Sequence, residues 1–113
     1  MNTVAKTATI LNGASLSDAV EIDEGMLVGM VLPAAWTAAN ITLQGAADNA
    51  VSTFNNLYDV EGTEVTIVAS ASRYVALVPA DFAGLKAVKV RSGTNAVPVN
   101  QGGDRSITLV IMS

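Results

Sequence analysis

The sequence predicts an all-β protein, a β-sandwich of eight to nine antiparallel strands. Short apolar or alternating runs recur roughly every ten residues, and turn-forming Gly, Asn, Asp and Pro residues separate them. No segment has the periodicity of a long helix, which leaves a sandwich or a barrel as the architecture. The 113 residues contain no internal repeat and no composition break, so a single domain over residues 1–113 is predicted.

The most apolar strand is predicted at residues 26–32, within the uncharged stretch GMLVGMVLPAAW. A continuous apolar run of strand length is typical of a strand covered on both faces. Gly29 in its middle indicates a bulge or the close approach of another group, and Pro33 ends it because proline cannot donate to a ladder. We expect Trp36 to close one end of the core, and Met30 and Val110 to be core side chains.

The other strands are predicted from alternation and from turn signals. Residues 3–11 fit an edge strand, because Lys6 discourages pairing with another chain. Residues 16–22 alternate apolar with acidic residues and fit a half-exposed strand. Residues 85–92 have valines on one face and Lys89 and Arg91 on the other, which predicts a basic outer surface. Further strands are predicted at 41–44, in a hairpin over 56–69, at 74–78 as a buried strand, and at 106–112.

The connecting segments carry the residues of turns and loops. They comprise turns at 12–13 and 24–25, an Ala-rich turn at 34–39, an irregular segment at 48–56, one short helical turn at 79–84 and a loop at 92–101.

The jelly-roll order is favoured over an immunoglobulin-like sandwich, whose Cys and Trp spacing is absent from this sequence. In that order strands one, eight, three and six form one sheet and strands two, seven, four and five the other. The three most apolar strands then become neighbours, and the acidic second strand lies beside the basic seventh, where their charges can pair.

The composition predicts a protein that assembles with others. Half of the residues are hydrophobic and only 14% are charged, against about 25% in ordinary domains. One small core cannot bury that much apolar area, so we expect a homo-oligomer, a dimer before a trimer. A net charge of −4 disfavours nucleic acid. No apolar run approaches the roughly 18 residues of a membrane span, so no membrane association is predicted.

The candidate chemical groups have simpler structural explanations. The chain has no Cys and no His, which removes the thiol nucleophile and the commonest general base. The acidic group Asp18, Glu21, Asp23 and Glu24 could bind a cation or supply half of a glycosidase pair, but a solvated strand face is favoured. Asp59, Glu61 and Glu64 resemble part of a calcium loop, although a hairpin turn is favoured.

Two further candidates are a Ser92–Lys89 pair and an aromatic platform for sugar. A Ser–Lys dyad needs a buried lysine and an oxyanion hole, and positions along one strand point apart. Trp36, Tyr58 and Tyr74 could stack on sugar, but burial in the core or in an interface is favoured. The sequence therefore predicts no catalytic residue, no metal site, no cofactor and no enzyme activity, and it assigns no partner-binding residue.

Three blocks of the sequence carry a family resemblance: VLPAAWTAA, the hairpin LYDVEGTEVT, and PADFAGLKAVKVRSGT. With the flanking residues they make the chain from Leu16 to Ile111 similar to the capsid decoration, or cement, proteins of tailed bacteriophages. The resemblance implies a jelly roll, made in the host cytoplasm, that binds the outside of the virion capsid as an oligomer and clamps neighbouring major capsid protein subunits. The alternatives are another virion component, such as a tail or fibre-attachment protein, and a carbohydrate-binding module that uses Trp36 and a tyrosine.

Overall fold

The computed structural model describes residues 2–23, 25–48 and 53–113. Within them the chain forms nine strands and one 3₁₀ turn, Pro79–Phe82. The strands are β1 (Thr3–Ile10), β2 (Val20–Glu21), β3 (Met26–Val31), β4 (Ile41–Ala46), β5 (Asn55–Asn56), β6 (Thr66–Ile67), β7 (Tyr74–Ala76), β8 (Ala87–Ser92) and β9 (Arg105–Met112). Glu24 of the predicted turn and residues 49–52 of the predicted irregular segment lie outside the described residues.

The strands form two antiparallel sheets packed as a sandwich, which confirms the predicted fold class. The first sheet has the order β1-β9-β3-β7, and the second has β2-β8-β4-β5 with β6 also paired to β4. These are the neighbours that the sequence predicted, since β9 lies between β1 and β3 and β2 lies beside β8. The predicted charge pairing between the second and seventh strands does not occur at Glu21, because this residue lies opposite Ala87.

The core lies between the sheets and is built by alternation along each strand. The fully buried side chains include Ile10, Leu27, Met30, Ile107 and Leu109 from the first sheet and Ile41, Leu43, Val88 and Val90 from the second. Met30 is therefore a core residue, as predicted. The prediction for Val110 is wrong, because Leu109 and Ile111 face inward and alternation directs the residue between them to the outer face, where it is half-buried.

The strand β3 confirms the predicted irregularity at Gly29. The register with β9 shifts between Leu27 and Gly29, and a Cβ built on Gly29 would lie 2.6 Å from the hydroxyl oxygen of Tyr74. The predicted cover on both faces is found on the inner face only, since Val31 on the outer face stays half-buried. The prediction of a buried strand at 74–78 is wrong, because β7 is an edge strand and Tyr74 is 63% exposed.

The predicted connections are found in part: Asn55–Asn56 of the predicted irregular segment form β5, and Ser92 of the predicted loop is the last residue of β8. Residues 79–82 form the expected short 3₁₀ turn, with Phe82 buried beneath it. The predicted hairpin is closed by an Asp59 N–Thr63 O hydrogen bond of 2.8 Å, and Gly62 has the positive φ of +85° that its turn requires. No helix within the described residues is long and apolar enough to cross a membrane.

Candidate functional site: an uncharged sheet face

Among the described residues, the outer face of the first sheet carries no charged side chain. Because residues paired across antiparallel strands share a face, the register assigns its members directly. We call it the uncharged face; its residues are Thr3, Ala5, Thr7, Thr9, Met26, Gly29, Val31, Tyr74, Ala76, Ser106, Thr108, Val110 and Met112.

The uncharged face is ordered in rows that cross the sheet. One row runs from Ala5 through Val110 and Gly29 to Ala76, and the next runs from Thr7 through Thr108 and Val31 to Tyr74. The first row is made of small residues, and the Tyr74 ring lies against its glycine instead of standing away from the sheet. The result is a low-relief surface of methyl and hydroxyl groups.

Among the described residues, the first sheet has two charged side chains, Lys6 in the middle of β1 and Arg105 at the start of β9, and both lie on its inner rows. Lys6 is paired with the buried Leu109, and Nζ donates to the Glu21 carbonyl at 2.7 Å and contacts Asp23 Oδ2 at 3.4 Å. Arg105 is paired with the buried Ile10, and Nε donates to Gln101 Oε1 at 3.2 Å. Both cations are thus bonded to loops or to strand ends of the molecule. This arrangement reverses the usual sandwich pattern, in which charges face outward.

The outer face of the second sheet is charged, but its central cation is buried. The Arg91 guanidinium donates to Glu64 Oε2 at 3.3 Å and to Asn56 Oδ1 at 2.6 Å, and only 7% of its side chain is exposed. The Glu64 carboxylate also accepts the Asn95 backbone N–H at 3.2 Å. This cluster ties together β8, the hairpin and the loop after β8.

The predicted basic outer surface of residues 85–92 is therefore wrong for Arg91. Glu64 and Asn56 come from the segment that pairs with the neighbouring β4, and this segment folds over the guanidinium. Lys89, on the same face, lies with Nζ 4.7 Å from the centre of the Phe54 ring. The sequence offered no signal for this burial, because Glu64 is 27 residues from Arg91.

The acidic candidates are engaged in local structure. Asp18 Oδ1 accepts the Thr9 N–H at 2.9 Å, and Asp59 Oδ1 accepts the N–H groups of Glu61 and Thr63, both at 2.9 Å. The last two bonds define the hairpin turn, which the sequence favoured over a calcium loop. Within residues 2–23, 25–48 and 53–113 no three acidic side chains are placed to hold a metal ion. Glu24, the fourth member of the acidic group, is outside these ranges.

The structure separates Ser92 from Lys89. Ser92 is fully buried and accepts a hydrogen bond from Gln101 Nε2 at 2.8 Å, whereas Lys89 lies on the outer face against Phe54. No hydrogen bond joins the two described side chains, so they are not arranged as a nucleophile and its base.

The three aromatic candidates do not form one platform. Trp36 is 7% exposed, and its Nε1 donates to the Ala39 carbonyl at 3.1 Å. Tyr58 is 48% exposed on the hairpin of the second sheet, whereas Tyr74 belongs to the uncharged face of the first sheet. The Trp36 ring is therefore not accessible for stacking on a sugar, as the carbohydrate-binding alternative requires.

Sequence reasoning missed Gln101, which it placed in a loop. This side chain is 1% exposed; its oxygen accepts the Thr37 N–H at 2.8 Å, and its nitrogen donates to the Thr37 carbonyl at 3.0 Å and to Ser92. It joins the loops 11–15, 36–39 and 93–101 at one end of the sandwich, where Leu11 and Val97 are 60% and 68% exposed. We call this surface the Gln101 end.

No protein-family model matches this chain, and no curated protein or solved structure is significantly similar to it.

Proposed function

We propose that the protein is a structural component of a tailed-bacteriophage virion, a decoration or cement protein on the exterior of the capsid. It binds the outer surface of the shell and bridges subunits of the major capsid protein. The residue blocks from Leu16 to Ile111 that resemble such proteins support this proposal.

The observation that carries the proposal is the presence of two separate surfaces suited to protein contacts. A bridging protein has to bind at more than one place, and the molecule offers the uncharged face on one sheet and the Gln101 end at the tip of the sandwich. Leu11 and Val97 at the Gln101 end and Tyr74 on the uncharged face are exposed apolar side chains, and contiguous exposed apolar surface is typical of interaction sites. Leu11 and Val97 supply the apolar contact with the shell.

The loops of the Gln101 end are held by bonds that favour a fixed shape. Gln101 bonds both backbone groups of Thr37, and the Gly13 N–H donates to the Gln101 carbonyl at 2.9 Å. A surface that is ordered before binding loses less conformational entropy when it docks. Many such contacts repeated over a shell add up by avidity, although each is weak alone.

The direct test mixes purified protein with undecorated shells and pellets the shells. We expect the parent protein to sediment with them, and the double variant Leu11→Asp/Val97→Asp to stay in the supernatant. Val60→Asp, on the hairpin tip where Val60 is fully exposed, is the matched control and keeps binding. Binding to host-cell glycans in the absence of shells, with no binding to shells, would instead favour the carbohydrate-binding alternative.

A further inference from the structure

We infer that the uncharged face is the site of self-association and that its occupant is the same face of a second copy, related by a two-fold axis. Two flat sheet faces pack well on each other, as the two sheets of one sandwich do, with their strands at a small angle. A two-fold interface requires a surface complementary to itself. A face of uncharged side chains meets that requirement without matching any charge to an opposite one.

The distribution of charged side chains favours this face over the second sheet as the site of self-association. The chain carries a net charge of −4, so two copies repel each other wherever acidic surfaces meet. Glu21 and Asp59 are exposed on the second sheet and its hairpin, away from the uncharged face. The described strands place no charged side chain on the uncharged face, so pairing through it brings fewer like charges together than pairing through the second sheet.

The edge of the first sheet is a less suitable contact. Strand β1 is an eight-residue edge, but Lys6 lies on its inner row and is bonded across to the second sheet. An inward-pointing charge of this kind opposes edge-to-edge pairing. Near the C-terminal end of β1, Asp18 already bonds both backbone groups of Thr9: its side chain accepts the Thr9 N–H, and its own N–H donates to the Thr9 carbonyl at 3.3 Å.

The area of the uncharged face indicates how strong this association is. Its four strands have three to eight residues each, and at about 3.3 Å per residue and about 4.8 Å between strands they cover roughly 400 Å² in projection. A standard stable interface buries about 800 Å² on each partner. The expected dimer is therefore weak, and it forms in a concentration-dependent equilibrium with the monomer.

The dimer explains how so small a chain can bridge two subunits of the major capsid protein. Two copies joined by the uncharged face carry two Gln101 ends, and each can hold a different capsid subunit. This consequence rests on the proposed function, but the self-association does not, so the two can fail separately. A shell also concentrates its bound copies, which favours a pairing that is weak in solution.

The test is sedimentation velocity of the full chain over a range of concentrations. We expect the parent and Val60→Asp to shift from monomer to dimer as concentration rises, while Val110→Asp and Ala76→Asp stay monomeric. Circular dichroism checks that each variant is folded; Ala76 is exposed on an edge strand, so its variant decides the question if Val110→Asp unfolds.

A second measurement gives a positive signal. The chain has no cysteine, so single cysteines at Thr7, Thr108 or Ala76 can form disulfides only between copies. At least one should form a dimer under oxidation faster than Val60→Cys.

A parent that remains monomeric, dimers that persist in both aspartate variants, or trimers as the main species would each overturn the inference. A monomeric parent whose Val110→Asp variant loses shell binding would assign this face to the capsid protein instead.

Discussion

Tyr74 lies across Gly29 on the outer face of the first sheet, so close that a Cβ on Gly29 would be 2.6 Å from the Tyr74 hydroxyl oxygen and 2.9 Å from Cε1. Because of this contact the Tyr74 ring does not project from the uncharged face. The contact also couples the two positions, since a side chain at position 29 would displace the Tyr74 ring into solvent.

We predict that the effects of Gly29→Ala and Tyr74→Ala on stability are not additive. In the Tyr74→Ala background, Gly29→Ala should stabilise the strand by about 0.5 to 1 kcal/mol, since alanine loses less conformational freedom than glycine on folding. In the parent, displacement of the Tyr74 ring offsets that gain. Urea unfolding of the four proteins measures the coupling, and equal effects of Gly29→Ala in both backgrounds would refute the account of this contact.

Met30 and Val110 lie on opposite faces of the first sheet, which gives a second prediction. Met30 is fully buried between the sheets, so Met30→Asp places an unpaired charge in the core at a cost of several kcal/mol, comparable to the ~5 to 15 kcal/mol stability of a domain. Val110 is half-buried on the outer face, so Val110→Asp should leave a folded protein. Thermal melts followed by circular dichroism compare the two, and similar melting temperatures would contradict the assignment of faces.

The buried ion pair between Arg91 and Glu64 predicts that a conservative substitution of Glu64 lowers the free energy of unfolding substantially. Glu64→Gln removes the carboxylate from a guanidinium whose side chain is only 7% exposed, and leaving a buried charge uncompensated costs about 3 kcal/mol. The control is Asp23→Asn, because the Lys6–Asp23 pair has side chains 35% and 54% exposed and should cost less than about 1 kcal/mol. Chemical unfolding measures both; equal losses would mean that the Arg91 cluster does not hold the hairpin.

The sequence predicted the architecture because the strand signals are local. The apolar run at 26–32, the glycine within it and the alternation in 85–92 each depend on neighbouring residues, and jelly-roll order then assigned the partners correctly. It failed at Val110 because SITLVIM has apolar residues on both faces, so alternation alone cannot identify the inner one.

The candidate site was predicted only in outline. The sequence indicated that one sheet has little charge, but the rows of the uncharged face follow from the register between distant strands. The burial of Arg91 and Gln101 depends on partners 27 and 64 residues away, Glu64 and Thr37, and no local pattern indicates such contacts.

A charge-reversing substitution on the second sheet provides the control for the proposed binding to shells. Arg91→Glu would break a buried ion pair and confuse unfolding with loss of binding, so Lys89→Glu is the better charge variant. If docking depends on apolar contact at the Gln101 end, Lys89→Glu should bind as the parent does. Loss of binding in this variant, while it stays folded, would move the docking surface to the charged sheet.

The most direct measurement is the occupancy of undecorated capsid shells by the parent protein across a salt series. Exposed ion pairs contribute only about 0 to 1 kcal/mol each and are screened by salt. We expect saturable binding to the outside of the shell that persists at about 0.5 M salt, where charge-dominated docking would be released. A folded protein that fails to sediment with shells at low salt would contradict the proposed function.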